Sequence, residues 1–384
     1  MTGRKRTVLA VVANVKQFRR AFYPHLAEAL ARHDVILRVA YSDPHHLEAS
    51  KNDSTDLAPP IGIKCRRLYF LGGRVLAQWL PLSEIVEADL VIIVQSNGYL
   101  ANYPLLVANR LGLKKVAFWG HGYNHQATSK GMRESFRRFL LRFCHWWFAY
   151  TDRTAKHLVA AGMPADRITV VNNAVDTRAF AGQVAGVAAE QKSALRAELG
   201  IAEGAPVALY CGSLYAHKHI DFLLDAGRRI REQRPDFTLL IVGAGPDAPA
   251  VEKVAREHAW LRYLGSQFGE RKARLFAVAD VFLNPGLVGL AILDSFAAAL
   301  PFITTDIPIH SPEVAYLEPG VSGLIVAHDA ASYAREVAEL LADPARLREM
   351  KRAALDTSRR FTVENMVRNV EGGIVASLGA PRWP

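Results

Sequence analysis

The chain has 384 residues, of which 50% are hydrophobic and 22% charged, and its formal net charge is +10. A chain of this length is too long to fold around a single hydrophobic core, which predicts two domains. The composition excludes both a disordered chain and a bundle of membrane helices. The positive charge predicts an anionic partner, namely a phosphorylated substrate, an anionic lipid surface or nucleic acid.

The N-terminal stretch weakly resembles a signal peptide, because a basic start precedes an apolar run. The run is only about seven residues long and a polar, basic stretch follows it, which favours a buried first strand. No apolar run approaches the ~18–20 residues that span a bilayer. The three cysteines, Cys65, Cys144 and Cys211, lack metal-ligand spacing and an even number for disulfide pairing. These features favour a cytoplasmic protein.

The first half alternates short β-rich apolar runs with helical patterns. Continuous apolar strands separated by helices predict a parallel sheet covered on both faces. The predicted strands are 7–15, 34–42, 63–71, 88–95, 114–120, 146–151 and 168–174. The predicted helices are 23–33, 104–112, 133–143 and 154–162.

A second alternation begins after residues 177–204, an Ala-, Gly- and Gln-rich interval that we interpret as an inter-domain connection with one helix. Its predicted strands are 206–214, 237–245, 261–267, 280–285 and 302–306, and its predicted helices are 220–233, 249–259, 270–279 and 290–299. The pattern predicts two doubly wound α/β domains, 1–176 and 205–364, facing each other across a cleft. A C-terminal helix within 365–384 is expected to pack back toward the first domain. Ligands of such sheets bind at the carboxyl ends of the strands.

The segment YCGSLYAHKHID places Gly212 at a strand end, followed by a short loop and a helix. Glycine permits close backbone approach, and loop amides can bind an anion. Lys218 stands where an ammonium can neutralise a phosphate, although a solvated surface lysine is the alternative. The later segment IVGAGPD does not complete G-x-G-x-x-G, because Asp247 and Ala248 occupy its last two places. A dinucleotide site is therefore not predicted.

The segment NPGLVGLAILDSF forms another strand-loop-helix pattern, with Gly286 and Gly289 in the loop. The backbone amides of Gly289 and Leu290 can hold a diphosphate at the helix start. Asp294 can accept hydrogen bonds from ribose hydroxyls. The alternative is an ordinary α/β turn in which Asp294 stabilises the helix N-terminus.

Taken together, these segments resemble the family 4 glycosyltransferases, retaining enzymes with two facing Rossmann-like domains, the GT-B fold. The resemblance covers about residues 165–365, and the N-terminal half is similar mainly in layout. The matching motifs are G-x-L-x-x-x-K at 212–218, V-G-x-G-P at 242–246, a strand ending in Leu264 and Gly265, a loose match over 286–303, and P-E-V followed by G-x-x-G-L-I-V at 312–314 and 320–326.

The resemblance implies that a sugar is transferred from a nucleotide diphosphate sugar, with the second domain binding the donor and the first the acceptor. It implies catalytic roles for His121 and Lys218. The donor-binding residues that it implies are Gly212, Ser213, Gly243, Gly265, Ser266, Gly286, Gly289, Leu290 and Asp294. A UDP- or GDP-sugar is the expected co-substrate. No cofactor or metal is expected, because the sequence has no DxD-like acidic cluster.

Three departures from the family pattern affect the donor site. Gly286 stands where the family has the first glutamate of its Glu-x7-Glu pair, which contacts the donor sugar. Asp294 stands at the second glutamate, which holds the ribose. Ser213 replaces a frequent arginine. The identity of the sugar and of a second phosphate-neutralising cation therefore stays open.

His121 ends a predicted strand in VAFWGHGYNHQ, where the family places a histidine near the donor sugar. It could contact a sugar hydroxyl or take part in proton transfer. The alternatives are a structural histidine and a metal-binding pair of His121 with His125. The metal is disfavoured because Gly122 and Asn124 predict a loop without an acidic third ligand.

The segment 133–147 is amphipathic, and its basic face carries Arg137, Arg138 and Arg142. It is either a helix packed on the sheet with a solvated face or a contact with anionic lipid headgroups. Arg19 and Arg20 add to the basic acceptor side.

The acceptor is hypothesised to be a lipid-linked or growing bacterial surface saccharide, reached by peripheral binding to the inner face of the cytoplasmic membrane. Nucleic acid is not an expected partner, since no recognised motif is present. The alternative functions are a nucleotide-sugar epimerase or hydrolase on the same fold, and a non-catalytic nucleotide-sugar-binding protein.

Overall fold

The computed structural model describes residues 4–45, 54–73, 75–122, 139–141 and 143–382. The chain forms two compact units, Met1–Val175 with Val363–Pro384, and Asp176–Thr362. Each unit contains one main sheet, and all strand pairs within the two main sheets are parallel. Within the described ranges, no helix combines the length and the apolar character that crossing a membrane requires.

The first unit has a seven-stranded main sheet in the order β3-β2-β1-β6-β7-β8-β9. The strands are β1 Arg6–Val11, β2 Val35–Tyr41, β3 Gly62–Lys64, β4 Arg67–Phe70, β5 Val75–Gln78, β6 Leu90–Val94, β7 Lys115–Gly120, β8 Trp146–Ala149 and β9 Ile168–Val170. The helices before the second unit are α1 Phe22–Ala31, α2 Leu82–Glu87, α3 Asn102–Arg110 and α4 Asp152–Ala160. The central strands are almost wholly buried, which explains their continuous apolar sequence.

The second unit has a six-stranded sheet in the order β12-β11-β10-β13-β14-β15. Its strands are β10 Val207–Cys211, β11 Thr238–Val242, β12 Leu261–Tyr263, β13 Val281–Leu283, β14 Phe302–Thr305 and β15 Gly323–Val326. Its helices are α5 Arg178–Ala185, α6 Ala189–Glu198, α7 Ile220–Gln233, α8 Ala248–Glu257, α9 Gly269–Val278, α10 Ala291–Ala297, α11 Ala330–Ala342 and α12 Pro344–Ser358. Both strand orders reverse beside the first strand, so the prediction of two doubly wound, Rossmann-like α/β domains is confirmed.

The predicted strand 63–71 is wrong, because it is two strands in two sheets. β3 extends the main sheet beside β2, whereas β4 pairs antiparallel with β5 in a separate hairpin. The side chains of β4 alternate between partly buried and exposed, as expected for a surface hairpin. Most of the predicted helix 133–143 lies outside the described residues, and so do Arg137, Arg138 and Arg142.

The interval 177–204 contains two helices instead of the single predicted one. Helices α5 and α6 both pack on α9, and α5 also contacts α10. At the start of α6, the side chain of Gln191 accepts a hydrogen bond from the backbone N–H of Ala188 at 3.1 Å. The interval therefore belongs to the second unit.

The C-terminal helix, α13 Val363–Gly379, packs against α1, β8 and β9 of the first unit. At Gly373 an added Cβ would lie 2.4 Å from the hydroxyl oxygen of Thr169, so only glycine permits this approach. His145 lies within hydrogen-bond distance of the Ser377 carbonyl, with its Nε2 2.9 Å away, and burial lowers the pKa of His145 to about 4. His145 is therefore neutral at pH 7, and its Nε2–H donates to the carbonyl of Ser377 on α13.

Candidate functional site

The second unit has its switch point between β10 and β13, where the strand order reverses. Gly212 follows β10 directly, and Asn284 follows β13. Connections from the two strands diverge at such a point and leave a crevice at their carboxyl ends. Two of the glycine-rich segments singled out in the sequence begin here.

The loop after β10 packs against the loop after β11 through backbone contacts. Gly243 has φ +141°, and an added Cβ would lie 1.8 Å from the Gly212 carbonyl oxygen. The Gly243 N–H donates to the Gly265 carbonyl at 2.8 Å, and the Leu214 N–H donates to that of Ala244 at 2.9 Å. Close packing of the two loops therefore requires glycine at position 243. Gly212 and Gly265 contribute backbone atoms to the same contacts.

Gly286 lies directly on the turn that carries Lys218. An added Cβ would lie 2.3 Å from the carbonyl carbon of Lys218 and 2.5 Å from the carbonyl oxygen of His217. The Leu287 N–H donates to that His217 oxygen at 2.7 Å. The two loops thus meet backbone to backbone, and no side chain fits between them. This packing reason was missed when Gly286 was interpreted only as a replaced glutamate.

Lys218 is largely buried at this junction. Its Nζ donates to the Leu287 carbonyl at 2.5 Å, and the Asn284 side-chain amide donates to the same oxygen at 3.3 Å. Burial lowers the pKa of Lys218 to about 8. An ammonium has three hydrogens, and in the described part of the chain only Leu287 accepts one of them. Two remain for an anionic ligand.

His310, which sequence reasoning missed, holds the loop from the β14 side. Its Nδ1 accepts a hydrogen bond from the Val288 N–H at 3.1 Å. Nε2 therefore carries the proton in the neutral ring and donates to the Thr305 carbonyl at 2.6 Å. The Thr305 hydroxyl donates to the Pro285 carbonyl at 2.5 Å. No periodicity or motif in the sequence pointed to this histidine.

The loop amides divide into two groups. The N–H groups of Leu287 and Val288 are bonded to His217 and His310. Those of Gly289 and Leu290, just before α10, donate to no group of the described chain. An added Cβ at Gly289 would have no neighbour within 4 Å, unlike one at Gly286. The pair predicted to bind a diphosphate is therefore available to a ligand.

Asp294 forms an ion pair that the sequence analysis did not foresee. Its Oδ2 lies 2.7 Å from Nζ of Lys272 on α9, and both side chains are about a quarter exposed. The Lys272 ammonium also lies 4.6 Å from the centre of the Phe180 ring. Burial raises the pKa of the Cys211 thiol to about 11, while the nearby positive charge of Lys272 lowers it. The pair is thus close to the carboxyl end of β10.

The two serines of the predicted site are exposed. Ser213 offers its backbone carbonyl to the Tyr210 hydroxyl at 2.8 Å, and Ser266 lies beside Gly265, where φ is +62°. The position of the family's frequent arginine therefore presents no cation here.

In the first unit, His121 directly follows β7 and is exposed. Its ring centre lies 4.4 Å from that of Tyr150, with the planes inclined by 41°. His125, the partner in the metal alternative, lies outside the described residues.

The side chain of Arg19 is partly buried and forms hydrogen bonds within the first unit. Its guanidinium donates to the Asn173 side chain, to the Ala174 carbonyl at 3.3 Å and to the Met366 sulfur at 2.8 Å. It therefore joins the loop after β9 to α13. The neighbouring Arg20 is exposed.

Two family descriptions match this chain. Residues 205–343 match Glycosyl transferases group 1, and residues 24–179 match Glycosyltransferase Family 4. The chain belongs to the family 4 glycosyltransferases. The resemblance drawn from the second half thus holds for the first half as well.

Curated relatives of this family 4 member carry different names. The D-inositol 3-phosphate glycosyltransferase of Nocardia farcinica is 29% identical over 61% of this chain and 52% of its own length. The alpha-monoglucosyldiacylglycerol synthase of Acholeplasma laidlawii is 26% identical over 47% of this chain and 46% of its own length. The chain spans about half the length of these curated relatives.

Among solved structures, Anabaena HepE in complex with UDP superimposes with a TM-score of 0.65 at 16% identity. The match covers 96% of this chain and 99% of HepE. It supports the GT-B fold for this family member.

Proposed function

We propose that the chain is a retaining, metal-independent glycosyltransferase that moves a sugar from a nucleotide diphosphate sugar to a saccharide or lipid-linked acceptor. The observation that carries the proposal is the grouping of Lys218, the free amides of Gly289 and Leu290, and Asp294 at one switch point. Family membership and the UDP named with HepE support a nucleotide-sugar donor. A role in bacterial surface polysaccharide synthesis at the inner face of the cytoplasmic membrane is part of the proposal.

The chemistry needs a group that stabilises negative charge on the departing diphosphate. Lys218 supplies an ammonium with two available hydrogens, and the two loop amides supply fixed dipoles beside it. Charges act more strongly in a buried site than in water, and preorganised donors need no rearrangement during the reaction. Lys218 and the amides thus perform the electrostatic task that a metal ion performs in other transferases.

Asp294 is assigned to the ribose. Lys272 occupies Oδ2, so Oδ1 can accept a hydrogen bond from a ribose hydroxyl. In this arrangement Lys272 is a positioning residue, which fixes the rotamer of Asp294 without contacting the reacting atoms.

The test of the proposal is binding and turnover with UDP, GDP, ADP and dTDP and their sugars. We expect one nucleotide to raise the melting temperature by mass action. Asp294→Ala should weaken its binding about ten- to a hundredfold, since a hydrogen bond to a charged group is worth roughly 1.5–3 kcal/mol. Asp356→Ala is the matched control, because Asp356 forms an exposed ion pair with Arg359.

The outcomes separate the alternatives. No shift with any nucleotide would contradict the donor site. Release of free sugar or an epimerised donor without acceptor would favour a hydrolase or an epimerase. Binding without turnover, in the presence of a broad acceptor panel, would favour a non-catalytic binding protein.

Lys272→Met is expected to raise KM for the donor about tenfold, for the same energetic reason, and to change kcat less than threefold. A positioning residue for the ribose affects donor binding and leaves the diphosphate chemistry intact. The control is Arg271→Met, which removes the adjacent cation of α9 and its exposed pair with Glu198. Equal effects of the two variants, or an unchanged KM in Lys272→Met, would contradict the assignment.

A further inference from the structure

A second cationic site lies in the first unit, at the amino-terminal edge of its sheet. Arg6 begins β1 and Lys115 begins β7, so this edge is opposite to the one that carries His121. The edge contains a cavity of about 240 Å³. Its charged lining residues are Arg4, Arg6, Asp89, Lys114, Lys115 and Arg382.

The lining carries five positive charges and one negative charge. Asp89 is already engaged, since Arg4 lies 2.6 Å from Oδ1 and the Thr7 N–H donates to Oδ2 at 2.8 Å. Over the ranges that the structure describes, Arg6 and Arg382 have no acidic partner. The cavity is therefore strongly positive without a ligand.

The two lysines are fixed in place by carbonyl groups. Lys114 Nζ donates to the carbonyls of Val86 and Ala88 at 3.0 and 2.5 Å, at the end of α2. Lys115 Nζ donates to three carbonyls of the end of α13 and the residues after it. Carbonyl dipoles orient these ammonium groups but do not cancel their charge.

Burial lowers the pKa of both lysines; the negative charge of Asp89 opposes this lowering, and the positive charge of Arg382 adds to it. Capping of two helices accounts for the lysines alone. It does not account for Arg6 and Arg382, which add like charge to the same cavity. A bound anion would offset this repulsion.

We propose that this cavity binds a small, multiply charged phosphate compound of the diphosphate class. Guanidinium groups bind phosphate oxygens through two parallel hydrogen bonds, and lysines add point charges. The volume exceeds the ~30 Å³ share of one water several times, so it accommodates a hydrated diphosphate. Its lining residues all belong to the first unit, whereas Lys218, Gly289, Leu290 and Asp294 belong to the second. Because Arg382 follows α13, a bound anion would also tie this end of the chain to the sheet.

The test is titration calorimetry with sodium pyrophosphate, with melting temperatures as a second readout. The site variant is Arg6→Gln with Arg382→Gln. The charge-matched control is Arg348→Gln with Arg352→Gln, two exposed arginines of α12. Lys218→Met removes the diphosphate contact of the donor site and Asp294→Ala its ribose contact, so failure of the proposed function is seen separately.

We expect pyrophosphate to bind and stabilise the wild-type chain, the control and both donor-site variants. The site variant should lose affinity at least about tenfold, which corresponds to one charge-assisted contact. Removing two like charges should leave its own melting temperature unchanged or higher.

Equal affinity of the site variant and the control would overturn the proposal. So would loss of all binding in Asp294→Ala or Lys218→Met alone. Vesicles containing phosphatidic acid form a further arm at equal phosphate concentration. The protein could bind these vesicles through Arg6 and Arg382 and fail to bind free pyrophosphate. That result would assign the site to a lipid headgroup and overturn the proposal of a small anionic ligand.

Discussion

Lys218→Met is expected to lower kcat about 10²–10³-fold, the effect of removing one preorganised donor that faces developing negative charge. Methionine has a similar length and fills the buried space without the ammonium. The donor should still bind, because Asp294 and the loop amides remain. The measurement is steady-state kinetics with the donor identified by the binding screen. A kcat within threefold of the wild-type value would contradict the role of Lys218.

Loss of the Lys218 ammonium is expected to have opposite effects on stability and on activity. Its folded-state pKa of about 8 lies below the ordinary value of 10.5. Between these pH values the unfolded chain binds more protons, so the free energy of unfolding rises with pH across this window. Below pH 8 Lys218 is protonated in both the folded and the unfolded chain. Burial of its charge then lowers the free energy of unfolding by about 3 kcal/mol, the energy equivalent of the pKa shift.

Lys218→Met should therefore be as stable as the wild type at pH 7, or more stable, while its activity falls. Urea unfolding at pH 7 and pH 10 measures the first effect. In the wild type, kcat/KM should decline as pH rises above about 8, because the ammonium deprotonates in the free enzyme. A clear loss of stability in the variant, or a flat pH profile to pH 9.5, would contradict this account.

Gly286→Glu is expected to abolish activity and not to restore the family's donor contact. The first carbon of the new side chain would already lie 2.3 Å from the carbonyl carbon of Lys218. The loop must then move away from the turn, which displaces Lys218 and the amides of Gly289 and Leu290. Overpacking of this kind costs roughly 1–3 kcal/mol of stability. Gly286→Ala should show most of this loss, since the clash arises at Cβ.

Gly289→Ala is the matched control within the same loop. Its added carbon meets no atom within 4 Å, so the variant should keep the wild-type melting temperature. Circular dichroism and thermal unfolding of the three variants measure the difference. A stable Gly286→Glu protein with a changed donor preference would show that the loop adapts. The residue at position 286 would then affect only which donor sugar is selected.

Features of the fold that depend on neighbours along the chain were predictable from the amino-acid sequence. Apolar runs separated by helical periodicity predicted two parallel, doubly wound sheets, and the helix 220–233 was predicted with the bounds it has. Glycines after strands, followed by helices, predicted the loops after β10 and β13. Lys218 and Asp294 lie beside these loops, and their roles in binding stay predictions.

The contacts that these residues make depend on the tertiary structure. The contact of Gly286 with residues 217–218, the pairing of Asp294 with Lys272, and the hydrogen bond from Val288 to His310 each join separate loops or helices. The cationic cavity joins Arg6 with Arg382, at opposite ends of the chain. Periodicity specifies which face of an element is apolar, but not which atoms of another element will pack there. Steric fit, ion pairing and burial of charge are properties of that packing.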